Sequence, residues 1–218
     1  MSPERAAAFI KQNLAPGCSA LVPEVWLYLA TEVTPLWQAT EDFLAQHNMA
    51  PPFWAFSWPG SEALARYITD NPHLVAGLRV LDFAAGGGLA ALAAARAGAA
   101  YVEAADIDPL AGAAIKLNAH LNNLAVTPRV ADLVGAPPEW DIILVGDVCY
   151  EAPMTAHIMP WLRACSAKIP VIMGDPGRKY RPEALGEPLI SYNVPTIREL
   201  EAGIAREVTV FRLHPERG

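Results

Sequence analysis

Arg79–Asp108, RVLDFAAGGGLAALAAARAGAAYVEAADID, decides the fold. Val80, Leu81 and Phe83 predict a short apolar strand around Asp82, and Ala84–Gly88 a sharp turn free of bulky side chains. Leu89–Ala97 is an Ala/Leu helix, Tyr101–Ala105 a second strand, and Asp106 and Asp108 follow it. A nucleoside cofactor fits such a unit. Glycines let backbone approach a ligand, and a helix N-terminus offers free N–H groups. A carboxylate about 20 residues beyond the glycines takes ribose hydroxyls.

The flanking sequence extends this unit in both directions. With 218 residues, 53% hydrophobic and 18% charged, the chain reads as one domain carrying an extension. We divide it into an N-terminal extension, 1–50, packed on the core, and a main domain, 51–218. The first residues predict an amphipathic helix with Ala6, Phe9, Ile10 and Leu14 on one face. Glu24–Thr31 predicts a strand and Leu36–Gln46 a helix. An aromatic stretch, Phe53–Trp58, precedes a helix running to about Ile68, with Ser61 as its cap and Leu64, Tyr67 and Ile68 facing inward.

Beyond Asp108, which suits the N-cap of a helix starting at Pro109, the pattern continues. Strands are expected at Thr127–Val130, Asp141–Val145 and Val171–Met173, and a helix at Pro153–Ala167. Ile190–Val194 and Glu207–Leu213 supply two final strands, the last antiparallel. The result is an α/β, Rossmann-like fold with seven core strands in a mostly parallel sheet.

Composition excludes several classes. A net charge of −7 argues against a phosphate-backbone partner. Cys18, Cys149 and Cys165 form no C-x-x-C pair, and the five histidines are scattered, so no metal site is expected. The cysteine usage suits a reducing, cytoplasmic setting. No apolar run reaches the ~20 residues that span a bilayer, and the amino terminus has no signal-peptide core. A monomer is expected.

Two constellations narrow the chemistry. Asp82-x-Ala84-x-Gly86-x-Gly88 resembles the first motif of the seven-strand S-adenosylmethionine (SAM) methyltransferases rather than the G-x-G-x-x-G of a dinucleotide site. Alanine replaces the usual glycine at 84, which on steric grounds predicts a negative φ there. After the fourth core strand, Asp147-x-x-Tyr150 resembles the lysine methyltransferases of methyltransferase family 16. Together PFWAFSWPGSEALARYITDNP, DIDPLAGAAIKLN, WDIILVGDVCYE and GDPGR, spanning Pro52 to Tyr180, resemble the methyltransferases of the electron transfer flavoprotein β subunit.

That resemblance implies SAM-dependent methylation of lysine ε-amines, up to trimethylation, with S-adenosylhomocysteine (SAH) as by-product and that flavoprotein subunit as partner. It implies that Ala84, Gly86 and Gly88 carry the methionine end of SAM and Asp82 its ammonium. Asp106 takes the ribose, Ile107 packs on the adenine, Asp132 accepts from the adenine amino group and Trp58 lies against the cofactor. Trp54 and Phe53 line the lysine channel, while Asp175 and Arg178 contact the protein substrate or form a Pro-Gly turn. A lysine of pKa ~10.4 is neutral about once in 2,500 at pH 7, so the acceptor must lose a proton. Asp147 is read as capturing and aiming the ammonium, with Tyr150 shaping the channel. Alternatives are the same chemistry on another protein, such as a ribosomal protein, or a non-catalytic module of the same fold.

Overall fold

The structure, a computed structural model, describes residues 2–31, 51–196 and 205–215. The helix expected at 36–46 and the domain boundary at residue 50 lie outside them. In chain order the elements are α1 (Pro3–Asn13), β1 (Ala15–Gly17), β2 (Leu27–Leu29), a 3-10 turn at Phe53–Ala55, α2 (Pro59–Asp70), β3 (Arg79–Phe83) and α3 (Leu89–Arg96). Then come β4 (Tyr101–Asp106), α4 (Pro109–Leu121), β5 (Thr127–Val130), β6 (Ile142–Gly146), α5 (Ala152–Ser166), β7 (Val171–Asp175), β8 (Gly186–Pro195) and β9 (Ala205–Leu213).

The seven-stranded sheet expected from the hydrophobic runs is present, in the order β5-β4-β3-β6-β7-β9-β8. The pairs from β5 through β7 are parallel, and β9 runs antiparallel to both β7 and β8. The central strands are mostly apolar because both faces are covered, with Asp82 in β3 and Glu103 in β4 as buried exceptions, and alternation sends their side chains into two cores. Val80, Ile142 and Leu144 pack with α2 and α3. Leu81, Phe83, Ile143 and Val145 pack with α5 on the opposite face.

The described part of the N-terminal extension joins this body. Ile10 and Leu14 share a buried cluster with Trp54, Ala111 and Ala114. The strand expected over 24–31 shrinks to three residues, and backbone within it and just before it bonds to α4. Asn122 Oδ1 accepts from Trp26 N at 2.9 Å and Asn118 Oδ1 from Tyr28 N at 2.8 Å.

Ser61 does not cap α2. The helix starts two residues earlier at Pro59, whose fixed φ suits a first turn, behind Trp58, which makes no side-chain capping bond. This start lies flush on the carboxyl ends of β6 and β7. A Cβ on Gly60 would stand 2.5 Å from Gly174 O and 2.7 Å from Asp147 N, while one on Gly146 would strike Ser61 and one on Gly174 would strike Gly60 O. Gly60→Ala should therefore cost about 2 kcal/mol or more. A lowered urea midpoint at unchanged slope is expected, and a wild-type midpoint would refute the contact.

Candidate active site

Sheet order reverses between β3 and β6, and a cleft of about 550 Å³ opens beyond the carboxyl ends of β3, β4, β5 and β6. Its floor is the turn after β3. Ala84, Gly86 and Gly88 have φ of 54°, 53° and 82°. Every second residue is thus left-handed, which explains small residues at alternate positions. The negative φ expected at Ala84 is not found. Ala85 N donates to Ala105 O at 3.0 Å and Gly86 N to Asp106 Oδ2 at 2.9 Å, and these bonds draw the turn onto β4. The Ala84 methyl is accommodated in a region costing about 1–2 kcal/mol for an L-residue.

Asp106 ends β4 with its second oxygen accepting from Asp108 N at 3.0 Å. Each of its oxygens keeps a lone pair for a further donor. Burial raises its pKa, opposed by the Asp108 and Gly86 amides. Asp108 caps α4 through Leu110 N at 2.8 Å, the role expected of it. Ile107 is 72% exposed on the cleft wall. Asp132 also lines the cleft, where His157 Nε2 lies 2.8 Å from its Oδ2. Asp132's pKa is lowered, first by the Val134 amide and then by His157.

Asp82 sits elsewhere than on the cleft wall. It is buried behind the turn and accepts from Ala91 N in the first turn of α3 at 2.8 Å. Desolvation pushes its pKa up to about 8. Its position supports the turn from below.

The aromatic stretch forms the upper lip. Trp54, Phe53, Phe56 and Trp58 line the cleft. Trp58 Nε1 donates to Phe53 O at 2.7 Å, and Phe53 lies 5.2 Å from the Tyr150 ring. Trp54 Nε1 is buried without a hydrogen-bond partner among the described residues. The lip is pressed on the floor: a Cβ on Gly87 would be 3.0 Å from Trp54 O. Tyr150 faces the cleft, with burial driving its pKa up to about 12, so it stays a neutral hydroxyl.

Asp147 also reaches the cleft, but its carboxylate is taken. Oδ1 accepts from Arg178 Nε, while Oδ2 accepts from Arg178 Nη2 at 2.9 Å and from Gly60 N at 3.1 Å. The arginine fork and a left-handed backbone, φ 60°, fix the side chain at 2% exposure. Arg178 lies 5.9 Å over the Trp58 ring. Asp175 is buried and closes the Pro-Gly turn through Gly177 N and Arg178 N. The turn reading of GDPGR therefore fits the geometry, and neither Asp175 nor Arg178 is among the cleft walls.

The donor set tests the cofactor. Five carboxylates line the cleft, those of Asp106, Asp108, Asp132, Asp147 and Glu151, and its described walls hold no lysine or arginine. A pyrophosphate would meet only like charge. A nucleoside bearing a sulfonium and an ammonium fits, and the described residues include no metal-binding group.

This sheet order and cleft define the seven-strand SAM-dependent methyltransferase fold. Solved structures agree. A ribosomal protein L11 methylase from Lactobacillus delbrueckii matches with TM-score 0.50 and 20% identity over 73% of this chain and 81% of that one. The magnesium protoporphyrin IX methyltransferase of Synechocystis with bound SAH matches with TM-score 0.51 and 18% identity, over 70% and 81%. The family model for ribosomal protein L11 methyltransferase (PrmA) matches residues 63–145.

Curated relatives go further. Electron transfer flavoprotein β-subunit lysine methyltransferases are 42% identical in Danio rerio, over 73% of this chain and 62% of that protein, and 39% identical in Xenopus laevis, over 82% and 75%. The Mus musculus protein is 34% identical over 95% and 84%. The chain belongs to the electron transfer flavoprotein β-subunit lysine methyltransferase family. It spans about 62% of the Danio rerio protein's length.

Sequence reasoning missed three groups. Asn118, fully buried on α4, accepts from Tyr28 N and donates to Gly87 O at 2.8 Å, tying the N-terminal hairpin to the turn. A polar residue on the helical face of Ala114, Ile115 and Ala119 was the available signal. His157 and the Asp147–Arg178 pairing left none, since they join distant loops.

Asp82 generates a pH prediction. Its folded pKa, about 8, lies above the ordinary carboxylate value. The unfolded chain ionises first, so wild-type stability falls as pH rises from about 4 to about 8. Asp82→Asn keeps an acceptor for Ala91 N and removes the titration. Its stability advantage should be absent near pH 4, grow to pH 8 and then level off. Parallel denaturation profiles for the two proteins would contradict this.

Proposed function

We propose that this chain transfers methyl groups from SAM to lysine ε-amines of a protein, and that the protein is the electron transfer flavoprotein β subunit. The observation that carries the reading is the carboxylate-lined cleft at the sheet's switch point, whose described walls hold no lysine or arginine and whose upper lip is aromatic. Family membership supports the acceptor. We further read the enzyme as a cytoplasmic monomer; the three cysteines are free.

SAM supplies an electrophilic methyl group on a sulfonium. The turn Ala84–Gly88 offers close backbone approach, Asp106 holds the ribose, Ile107 the adenine face, and Asp132, steadied by His157, the adenine amino group. Trp58, Phe53 and Trp54 exclude water and leave a narrow apolar way in for an alkyl arm. Positioning and desolvation are the main contributions an enzyme makes to such a displacement. The Tyr150 hydroxyl, neutral across the working pH range, accepts from or donates to the amine at the channel's end. Asp147, bound by Arg178, holds the GDPGR turn against the lip. The PrmA match favours one competitor, a ribosomal protein as acceptor.

Two measurements test the reading. Intact-mass spectrometry of purified flavoprotein β subunit and of ribosomal protein L11, each incubated with enzyme and SAM, should show methyl increments on the flavoprotein subunit alone. Increments on L11 alone would move the acceptor. Asp106→Ala should weaken SAM binding about tenfold or more by calorimetry. Unchanged affinity would remove the ribose assignment.

A further inference from the structure

A second pocket of about 250 Å³ adjoins the cleft and shares Phe56, Ser57 and Trp58 with it as a common wall. Cys18, Ser19, Glu62 and Thr196 add to its polar lining. Glu62 lies in the first turn of α2 at 6% exposure. Burial pushes its carboxyl up to about 7, against the downward pull of the Ser57 and Ser19 hydroxyls. Ser57 Oγ itself is buried without a hydrogen bond of good geometry.

No cation answers this carboxylate among the described residues. On its own helix, Arg66 is committed to Glu24 at 2.9 Å and Asp70 at 2.6 Å. The N-terminal segment contributes Cys18 as the other titratable group. The lip and the end of β8, at Pro195 and Thr196, contribute no ionisable side chain to the lining. A buried carboxylate without a countercharge is costly, and this one, answered among the described residues only by the Ser57 and Ser19 hydroxyls, opens into a space too small for a nucleoside but sufficient for one side chain. Aromatic walls favour a cation further.

We propose that this pocket is a cation subsite, in which Glu62, walled by Phe56 and Trp58, receives a side-chain ammonium or guanidinium of the polypeptide substrate next to the methyl-transfer cleft. The inference rests on the protein-substrate reading above. It also answers a difficulty in the site: Asp147, the carboxylate that the sequence singles out for an incoming ammonium, already holds Arg178, whereas Glu62 meets no opposite charge among the described residues. The cation is either the acceptor lysine or a basic residue beside it.

The test compares the full chain with Glu62→Gln and Glu62→Lys, using purified flavoprotein β subunit as substrate from pH 6 to 8. The ionised fraction of a group with pKa about 7 rises about tenfold over that range. Wild-type KM for the protein should therefore gain an approximately tenfold pH dependence that Glu62→Gln lacks. At pH 8 the Gln variant should show a KM at least tenfold higher, and Glu62→Lys should be blocked further. Both variants should bind SAM within twofold of wild type, which shows them folded. A fall in kcat as well as affinity identifies the acceptor lysine, and a change in KM alone a neighbouring basic residue. Saturation-transfer NMR with n-butylammonium reads the pocket without turnover: binding at pH 8, loss at pH 6 and loss in Glu62→Gln are expected. A KM profile in Glu62→Gln that overlays wild type overturns the subsite, as does n-butylammonium binding that ignores both pH and the substitution. If wild type methylates no flavoprotein subunit, the substrate reading fails while the NMR arm still decides the pocket.

Discussion

The close approach of α2 to the sheet, made by Gly60, Gly146 and Gly174, is the constraint on which the site depends. No side chain larger than hydrogen fits between the helix start and the ends of β6 and β7. That contact brings the Gly60 amide to Asp147 Oδ2 and places Trp58, just before the helix, over the cleft. It also sets Glu62 one half-turn further on, against the N-terminal segment. Lip, Asp147 and second pocket thus derive their positions from one helix–sheet junction rather than from loop conformation. Packing of this kind is steep in distance, so it fixes geometry more firmly than a flexible ion pair does.

The electrostatics follow a division of labour among carboxylates. Asp82 and Asp175 are buried with backbone amides and serve turns; Asp108 serves a helix end. Asp147 serves an arginine. Asp106 and Asp132 retain acceptor capacity toward the cleft, and Glu62 retains it toward the neighbouring pocket. Identical side-chain chemistry is assigned to different tasks by what the backbone places within 3 Å.

Much of this was legible from residue order. Seven strands and their sequence were readable because parallel, doubly covered strands such as Ile142–Gly146 leave unbroken apolar runs, and Asp108-Pro109 announces a helix start. The turn and Asp106 were readable because their spacing is local. The partner of Asp147 was not, because Arg178 meets Asp147 across 31 positions and is placed by the β7 turn. The φ of Ala84 was misread because the local steric preference was weighed without the two hydrogen bonds to β4 that override it. The bond from Ala91 N to Asp82 was not readable, because strand alternation tells which face a side chain takes, not whether a helix amide waits there.

Asn118 links segments that sequence treats as separate. One amide group bonds Tyr28 in the N-terminal hairpin and Gly87 in the glycine turn. Neither segment can open without stranding a buried amide atom of Asn118. The hairpin and the turn therefore form one cooperative unit, and their amide protons should exchange through a shared opening event rather than by independent fraying. The extension is accordingly tied to the floor of the cleft, and its protection reports on that floor.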